Sequence, residues 1–324
     1  MGDLAFLFPG QGAQQVGMGK DLHAAYPAVR DLYERAAKAV ASDVSRTSAP
    51  FDLRKISFEG PEEELKRTDV SQPAIVVASL AALEALKAEL GGSLPATSVT
   101  LGLSLGEYSA LTFSGALPIE DAVSLVIARG RYMQECCDRT PSGMVALSGL
   151  DAEKVQPAIE EGRKVGAVGL ANDNAAGQIV LSGERAALDV AVEKAKALGA
   201  KRVTPLNVAG AYHSSLMAPA GERLRSDLAK ARVSKPTVPV LANVTADLHG
   251  DPDAIRARLV EQVSGTVRFR ESLAKAVALG AKRFVELGPG GVLKGLVRAN
   301  DRSLECKSAM SVEEVKAVAA WLKG

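Results

Sequence analysis

The stretch LGLSLGEY, residues 101–108, places Ser104 between Gly102 and Gly106. A serine that only packs in a core needs no glycine on both sides. A strand that turns sharply into a helix does need small residues, because the two backbones crowd together there. Residues 98–103 predict a buried strand, and a helix is expected to begin directly after the serine. Strand, turn and helix in this order form the context in which a G-x-S-x-G motif presents a nucleophilic serine.

The composition is typical of a globular protein. Of the 324 residues, 47% are hydrophobic and 24% are charged, so the chain can bury a sizeable core. The 39 basic and 38 acidic residues leave a formal net charge of +1, which predicts neither a nucleic-acid partner nor attraction to an anionic membrane. The length is large for one hydrophobic core, so we expect an α/β unit with an insertion, or two domains.

The sequence also predicts a cytoplasmic protein without a membrane anchor. The three cysteines, Cys136, Cys137 and Cys306, are odd in number and two are adjacent, which argues against a disulfide framework and for a reducing compartment. The first residues lack the features of a signal peptide or a myristoylation site. No apolar run approaches the roughly 18 to 20 residues of a membrane span. Scattered histidines and adjacent cysteines offer no metal-ligand set, and no cofactor is expected.

The two ends of the chain share one pattern, in which apolar strands alternate with helices. The predicted elements are a strand at residues 4–8, a helix at 74–90 opened by Ser71-Gln72-Pro73, a helix at 120–135, strands at 238–241 and 283–287, and a final helix with a capping box of Ser311 and Glu314.

The pattern changes between residues 138 and 207, where strands are predicted at 144–150, 167–171, 178–181 and 202–206, and helices at 151–162 and 184–199. This βαββαβ order is typical of a ferredoxin-like subdomain. We therefore predict an α/β fold in which residues 1–137 and 208–324 form an α/β-hydrolase-like core with a mostly parallel sheet. Residues 138–207 are predicted to be inserted in it as the ferredoxin-like subdomain.

A serine becomes nucleophilic at neutral pH when a base takes its proton, and the commonest base is histidine. His23, at a polar helix start, and His249, in a turn, are most simply solvated. His213 follows a predicted strand and a run of small residues, where α/β sheets gather their sites. By position alone it is either the base for Ser104 or an ordinary loop histidine.

Arg129 stands on an apolar stripe of its predicted helix, with Leu125, Val126, Tyr132 and Met133 one turn away on either side. A guanidinium on a core-facing stripe must find a carboxylate or carbonyl oxygens. The carboxylate belongs either to the protein or to a ligand, which Arg129 would then select by charge and shape.

The glycine spacing of residues 9–17, PGQGAQQVG, matches neither the dinucleotide-binding nor the P-loop pattern. Glycines near a strand end also let backbone N–H groups approach a reacting carbonyl, so this loop either supplies an oxyanion donor or is simply a tight turn.

Several motifs, taken together and in order over nearly the whole chain, resemble the malonyl-CoA:acyl carrier protein transacylase family. They are Phe8-Pro9-Gly10-Gln11-Gly12, Ser71-Gln72-Pro73, Gly102-Leu103-Ser104-Leu105-Gly106-Glu107-Tyr108, Arg129-Gly130-Arg131, Gly210-Ala211-Tyr212-His213-Ser214 and Glu286-Leu287-Gly288-Pro289-Gly290.

The resemblance implies malonyl transfer from malonyl-CoA to the phosphopantetheine thiol of acyl carrier protein, through an ester on Ser104 with His213 as the base. It assigns the oxyanion hole to the main-chain N–H groups of Gln11 and Leu105. It assigns the orientation of the imidazole to the main-chain carbonyl of Gln262, and the binding of the malonyl carboxylate to Arg129.

The chain departs from the family pattern at two places. Leu103 stands where the family often has histidine, so any contribution of that imidazole is absent. Gly265-Thr266 stands where related chains often have another residue and proline, which bears on the orientation of His213. Tyr212 replaces a common phenylalanine and still suits a malonyl rather than a methylmalonyl pocket.

Two other functions stay open on the sequence. One is an acyl hydrolase that clears acyl groups from carrier proteins. The other is a non-catalytic subunit that docks a carrier protein within a synthase.

Overall fold

The computed structural model describes residues 2–42 and 50–324 and contains two sheets. The strands are β1 (Leu4–Phe8), β2 (Thr97–Gly102), β3 (Ser142–Ser148), β4 (Val168–Ala175), β5 (Gln178–Glu184), β6 (Arg202–Pro205), β7 (Arg283–Leu287) and β8 (Glu305–Ala309). The helices are α1 (Lys20–Ala25), α2 (Pro27–Ser42), α3 (Leu53–Glu59), α4 (Glu62–Leu65), α5 (Thr68–Glu89), α6 (Gly106–Phe113), α7 (Ile119–Cys137), α8 (Gln156–Arg163), α9 (Arg185–Ala197), α10 (Ala218–Lys230), α11 (Pro252–Gln262), α12 (Phe269–Ala278), α13 (Val292–Asn300) and α14 (Val312–Lys323).

The first sheet has the strand order β2-β1-β7-β8, and all its pairs are parallel. Strand β1 is buried throughout because helices cover both faces of the sheet. Leu4, Phe6 and Phe8 face the core that includes α5 and α7, whereas Ala5 and Leu7 face the core that includes α12 and α13. The predicted α/β core with a mostly parallel sheet is confirmed.

The second sheet has the order β4-β5-β3-β6, and its pairs are antiparallel. Its elements follow one another as β3, α8, β4, β5, α9 and β6, which is the predicted βαββαβ order. Strand β4 also contacts a segment outside residues 138–207. The N–H of Val267 donates to the carbonyl of Ala171 at 2.8 Å, and the N–H of Asp173 donates to the carbonyl of Val267 at 3.0 Å. These bonds tie β4 to the segment between α11 and α12.

Two predicted helix starts are wrong. Helix α5 begins at Thr68, three residues before Ser71, and Pro73 lies inside it. Its first residues are polar but buried, so hydrophobic periodicity misses them. Helix α8 begins at Gln156 rather than at residue 151. A proline stands in the first turn of this helix, where the backbone N–H has no carbonyl partner within the helix and is not needed. The capping box of Ser311 and Glu314 is confirmed.

The strand predicted at residues 238–241 is also wrong. Only isolated bridges join Val240 to Thr100 and Leu241 to Leu248. Pro239 has no N–H to donate, which prevents a continuous ladder at this edge of the sheet.

Helix α5 is long and apolar enough to cross a membrane, by length and composition alone. The expectation that no apolar run approaches the length of a membrane span is therefore wrong. The most apolar window of α5 is 94% buried inside the protein, as in a core helix.

Candidate active site

Ser104 occupies the sharp turn between β2 and α6, as its motif predicts. Its φ of 51° lies in the left-handed region, which non-glycine residues rarely adopt. Two side chains hold the peptide groups in that conformation. The N–H of Ser104 donates to Oδ1 of Asn243 at 2.6 Å, and its carbonyl accepts from Nε2 of Gln262 at 2.9 Å. The strained turn is thus fixed by hydrogen bonds from distant parts of the chain.

The two glycines of the motif are required by backbone contacts. A Cβ on Gly106 would lie 2.0 Å from the carbonyl oxygen of Phe8, and a Cβ on Gly102 would lie 2.0 Å from the carbonyl carbon of Gly106. No side chain fits where β1, β2 and the start of α6 meet. This close approach is the physical reason for the G-x-S-x-G spacing.

His213 lies against the serine, 109 residues away in the chain, with Nε2 2.7 Å from Oγ of Ser104. Its Nδ1 is 2.9 Å from the carbonyl oxygen of Gln262 and 3.1 Å from that of Gly265. A carbonyl can only accept, so Nδ1 carries the proton in the neutral ring and Nε2 is free to receive the proton of Ser104. The predicted role of the Gln262 carbonyl is matched by this geometry, and Gly265 adds a second acceptor.

The surroundings of His213 keep its ring neutral. Burial, with the positive charge of Arg129 as a second cause, lowers the pKa of His213 to about 4, from an ordinary value of 6.5. A neutral imidazole is the form that can act as a general base.

Arg129 reaches the same place from α7. It is 1% exposed, and desolvation by burial lowers its pKa. Its Nη1 donates to Oε1 of Gln72 at 2.8 Å, and its Nη2 donates to Oγ of Ser104 at 3.0 Å and to Oε1 of Gln262 at 3.1 Å. Within the described residues Arg129 forms no direct ion pair with a carboxylate.

The remaining predicted residues lie beside this cluster. Gln11, Ser104, Arg129 and His213 line one cavity of about 160 Å³. Leu105 is the N-cap residue of α6, where main-chain N–H groups have no partner within the helix. The structure therefore brings together every residue that the sequence predicts for the site.

The prediction of a solvated His249 is wrong. Its side chain is fully buried, and its Nε2 lies 2.8 Å from Oε1 of Glu107, which is equally buried. The pairing joins residues 142 positions apart, so no local pattern indicates it. His23 is only half-buried and packs against the rings of Tyr33 and Phe58.

Sequence reasoning missed Asn243, Gln72 and the side-chain role of Gln262. Asn243 and Gln72 are 2% and 0% exposed. A usable signal exists for Gln72, a polar residue just before the proline of an otherwise apolar helix. Asn243 lies in a loop without periodicity and carries no comparable signal.

The departures from the family pattern have defined contacts. The hydroxyl of Thr266 donates to the carbonyl of Leu170 on β4 at 2.6 Å. The hydroxyl of Tyr212 lies 2.9 Å from Oγ1 of Thr68. Leu103 lines the cavity beside Ser104, where an imidazole is absent.

Comparisons with known proteins identify the family of this chain. Residues 5–320 match the family model described as an acyl transferase domain. The chain is 40% identical over 324 residues to the malonyl CoA-acyl carrier protein transacylase of Bacillus subtilis, covering 100% of this chain and 98% of the relative. The transacylase structure from Coxiella burnetii has a TM-score of 0.92 at 36% identity, covering 99% and 98% of the two chains.

A second similar structure is a type II polyketide acyl-carrier protein in complex with its malonyl-transacylase. It has a TM-score of 0.91 at 34% identity and covers 98% of this chain and 99% of that one. The chain thus belongs to the acyl transferase family, among the malonyl CoA-acyl carrier protein transacylases.

Proposed function

We propose that this acyltransferase moves the malonyl group from malonyl-CoA to the phosphopantetheine thiol of acyl carrier protein by a ping-pong mechanism. In the first half, Nε2 of His213 takes the proton of Ser104 while Oγ attacks the thioester carbonyl. The C–S bond breaks, the leaving sulfur takes the proton from His213, and a malonyl ester remains on Ser104. Free coenzyme A departs.

The second half reverses these steps with another thiol. His213 takes the proton of the phosphopantetheine thiol, the sulfur attacks the ester carbonyl, and Oγ of Ser104 leaves and regains a proton. Main-chain N–H groups of Gln11 and Leu105 stabilise the oxyanion in each half. The steps use groups of the chain and the two substrates alone, so the proposal includes no cofactor.

The observation that carries the proposal is a buried cation, Arg129, within hydrogen-bonding distance of the nucleophile Ser104. Such a cation favours an acyl group with a free carboxylate and leaves a neutral acyl group unable to satisfy it. The cavity of about 160 Å³ is below the about 300–1,000 Å³ of sites for drug-sized ligands, which suits a short diacid.

We also infer that residues 138–207, which contain the second sheet, form an inserted ferredoxin-like subdomain. Residues 1–137 and 208–324 then form an α/β-hydrolase-like core. The order of the elements and of the strands supports this subdomain.

A groove of about 730 Å³ runs from His213 along residues of α8 and β4, and we assign it to the phosphopantetheine arm. Three unbonded cysteines support a reducing cytoplasm.

The test is intact-mass spectrometry after mixing the chain with malonyl-CoA. The unaltered chain is expected to gain one malonyl group, and Ser104→Ala is expected to gain none. Equimolar malonyl-, methylmalonyl- and acetyl-CoA in competition should label the chain mainly with malonyl. Failure of the unaltered chain to label would favour a docking subunit instead.

A second step separates transfer from hydrolysis. The labelled chain is divided between holo acyl carrier protein and buffer alone. Loss of the malonyl group to the carrier, with slow loss in buffer, is the expected result. Equal loss in both would identify an acyl hydrolase.

A further inference from the structure

The site contains a second buried charge besides Arg129. Glu107, on the first turn of α6, is fully buried. Its Oε2 accepts from the N–H of Asn243 at 2.8 Å and from Nε2 of Gln262 at 3.0 Å, and its Oε1 lies 2.8 Å from Nε2 of His249. No lysine or arginine of the described residues forms an ion pair with it.

Among the described residues, only one nitrogen of the His249 ring has a partner. Oε1 of Glu107 accepts from Nε2–H of the ring, and the other nitrogen, Nδ1, is buried without a partner among the described residues. A proton on Nδ1 would bury an unsatisfied charged donor, which is costly. A neutral ring leaves the negative charge on Glu107.

The amide of Gln262 joins the two charges. Its Oε1 accepts from Nη2 of Arg129 at 3.1 Å, while its Nε2 donates to Oε2 of Glu107 at 3.0 Å. The orientation of the amide is determined, because the carbonyl of Ser104, 2.9 Å from Nε2, can only accept. The negative end of the amide dipole faces the cation and its positive end faces the carboxylate.

We propose that Glu107 is the resident countercharge of Arg129, coupled to it through the Gln262 amide, and that it limits how tightly the site binds a substrate carboxylate. This inference rests on the proposed function. Glu107 stabilises the buried guanidinium when no substrate is bound. A malonyl carboxylate on Arg129 then brings a second negative charge near Glu107, and their repulsion weakens binding. A neutral acyl group experiences no such repulsion.

The test compares Glu107→Gln with the unaltered residue, both in a Ser104→Ala background so that ligands bind without reacting. The matched control is Glu286→Gln, because Glu286 is also a fully buried carboxylate but binds the N–H groups of Leu293 and Lys294 outside the cavity. Calorimetry measures Kd for malonyl-CoA and acetyl-CoA. Glu107→Gln should tighten malonyl-CoA binding about tenfold and change acetyl-CoA binding less than about twofold. Glu286→Gln should change neither.

A second variant serves if Glu107→Gln does not fold. Glu107→Met removes the charge with an apolar side chain of similar length and should likewise tighten malonyl-CoA binding about tenfold, with acetyl-CoA binding changed less than about twofold. Equal effects on both ligands, or no effect, would overturn the inference while leaving malonyl transfer intact. If the unaltered chain neither labels with malonyl-CoA nor binds it in the Ser104→Ala form, the proposed function and the inference both fail.

Discussion

Ser104 and His213 both adopt left-handed backbone conformations, with φ values of 51° and 57°, and Oγ of one lies 2.7 Å from Nε2 of the other. Neither residue is glycine, so each conformation is strained and must be held by its surroundings. Asn243 and Gln262 hold the serine, and two carbonyls hold the imidazole. The proposed nucleophile and its proposed base are therefore already in position in the structure without substrate.

Replacing Arg129 should remove the preference for malonyl groups. Arg129→Ala is expected to slow malonylation of Ser104 by about a hundredfold or more, since losing one partner of a buried charge pair costs about 2–5 kcal/mol. Acetylation should be retained or faster. Single-turnover acylation with each thioester measures both rates. Arg131→Ala, on the same helix with its side chain 34% exposed, is the control. An unchanged malonyl preference in Arg129→Ala would refute the binding of the malonyl carboxylate by Arg129.

The acylation rate should stay high well below the ordinary pKa of histidine. The pKa of His213 is lowered to about 4 in the folded chain, so the neutral base persists between pH 6.5 and about 4. Rapid-quench malonylation is expected to lose half its rate near pH 4. A midpoint near 6.5 would contradict the effect of burial on this ring.

The same shift predicts lower stability in acid. Above pH 6.5 His213 is neutral in both the folded and unfolded chain, and its full contribution is present. As the pH falls from 6.5 toward about 4, the unfolded chain binds a proton that the folded chain does not, and the free energy of unfolding decreases. In urea titrations over this range, His213→Gln should lose less stability than the unaltered chain. Identical slopes in the two would show no linkage.

Asn243 is expected to be a positioning residue for the serine turn. The Oδ1 of Asn243 accepts from the N–H of Ser104, and its Nδ2 donates to the carbonyl of Gly102 at 2.7 Å. Asn243→Ala leaves both groups unpaired, at about 1–3 kcal/mol each. The value of kcat should fall about tenfold or more, with KM for malonyl-CoA changing less than about threefold. A change in KM alone would assign Asn243 to substrate binding.

Thr266 should hold the segment that orients His213. The hydroxyl of Thr266 donates to the carbonyl of Leu170 at 2.6 Å. The preceding residue, Gly265, accepts a hydrogen bond from the imidazole of His213 with its carbonyl. Thr266→Val removes the bond to Leu170 at nearly constant volume and should lower kcat by about three- to tenfold, in line with one hydrogen bond. Thr266→Ser, which keeps the hydroxyl, is the control. Equal rates in the two variants would make the hydroxyl irrelevant.

Alanine substitutions at two glycines should change the free energy of unfolding in opposite directions. Gly106→Ala drives a Cβ into the Phe8 carbonyl and should cost about 3 kcal/mol or more in the free energy of unfolding. Gly295, inside α13, has no atom within 4 Å of such a Cβ. Gly295→Ala should stabilise the chain by about 0.5–1 kcal/mol. Urea unfolding measures both, and similar effects would contradict the proposed role of close approach.

Local patterns predicted only part of the site. Ser104 follows from the strand and the two glycines around it, and Arg129 stands out as a charge on an apolar helix stripe. The roles of His213, Gln11, Leu105 and the Gln262 carbonyl came from family resemblance. Errors fell on the burial of His249, on helix starts and on residues 238–241. Buried polar residues or prolines obscure the periodicity that predicts an element.

Sterics between neighbouring residues act within a few positions, so local patterns indicate turns such as the one at Ser104 and unusual side chains such as Arg129. The contact of Glu107 with His249, and the hydrogen bonds of the Gln262 side chain to Glu107, Ser104 and Arg129, depend on the three-dimensional packing of distant segments. These contacts span 133 to 158 residues for Gln262 and 142 for His249. Strand order and helix packing bring such groups together, and hydrogen bonds of fixed direction then orient them.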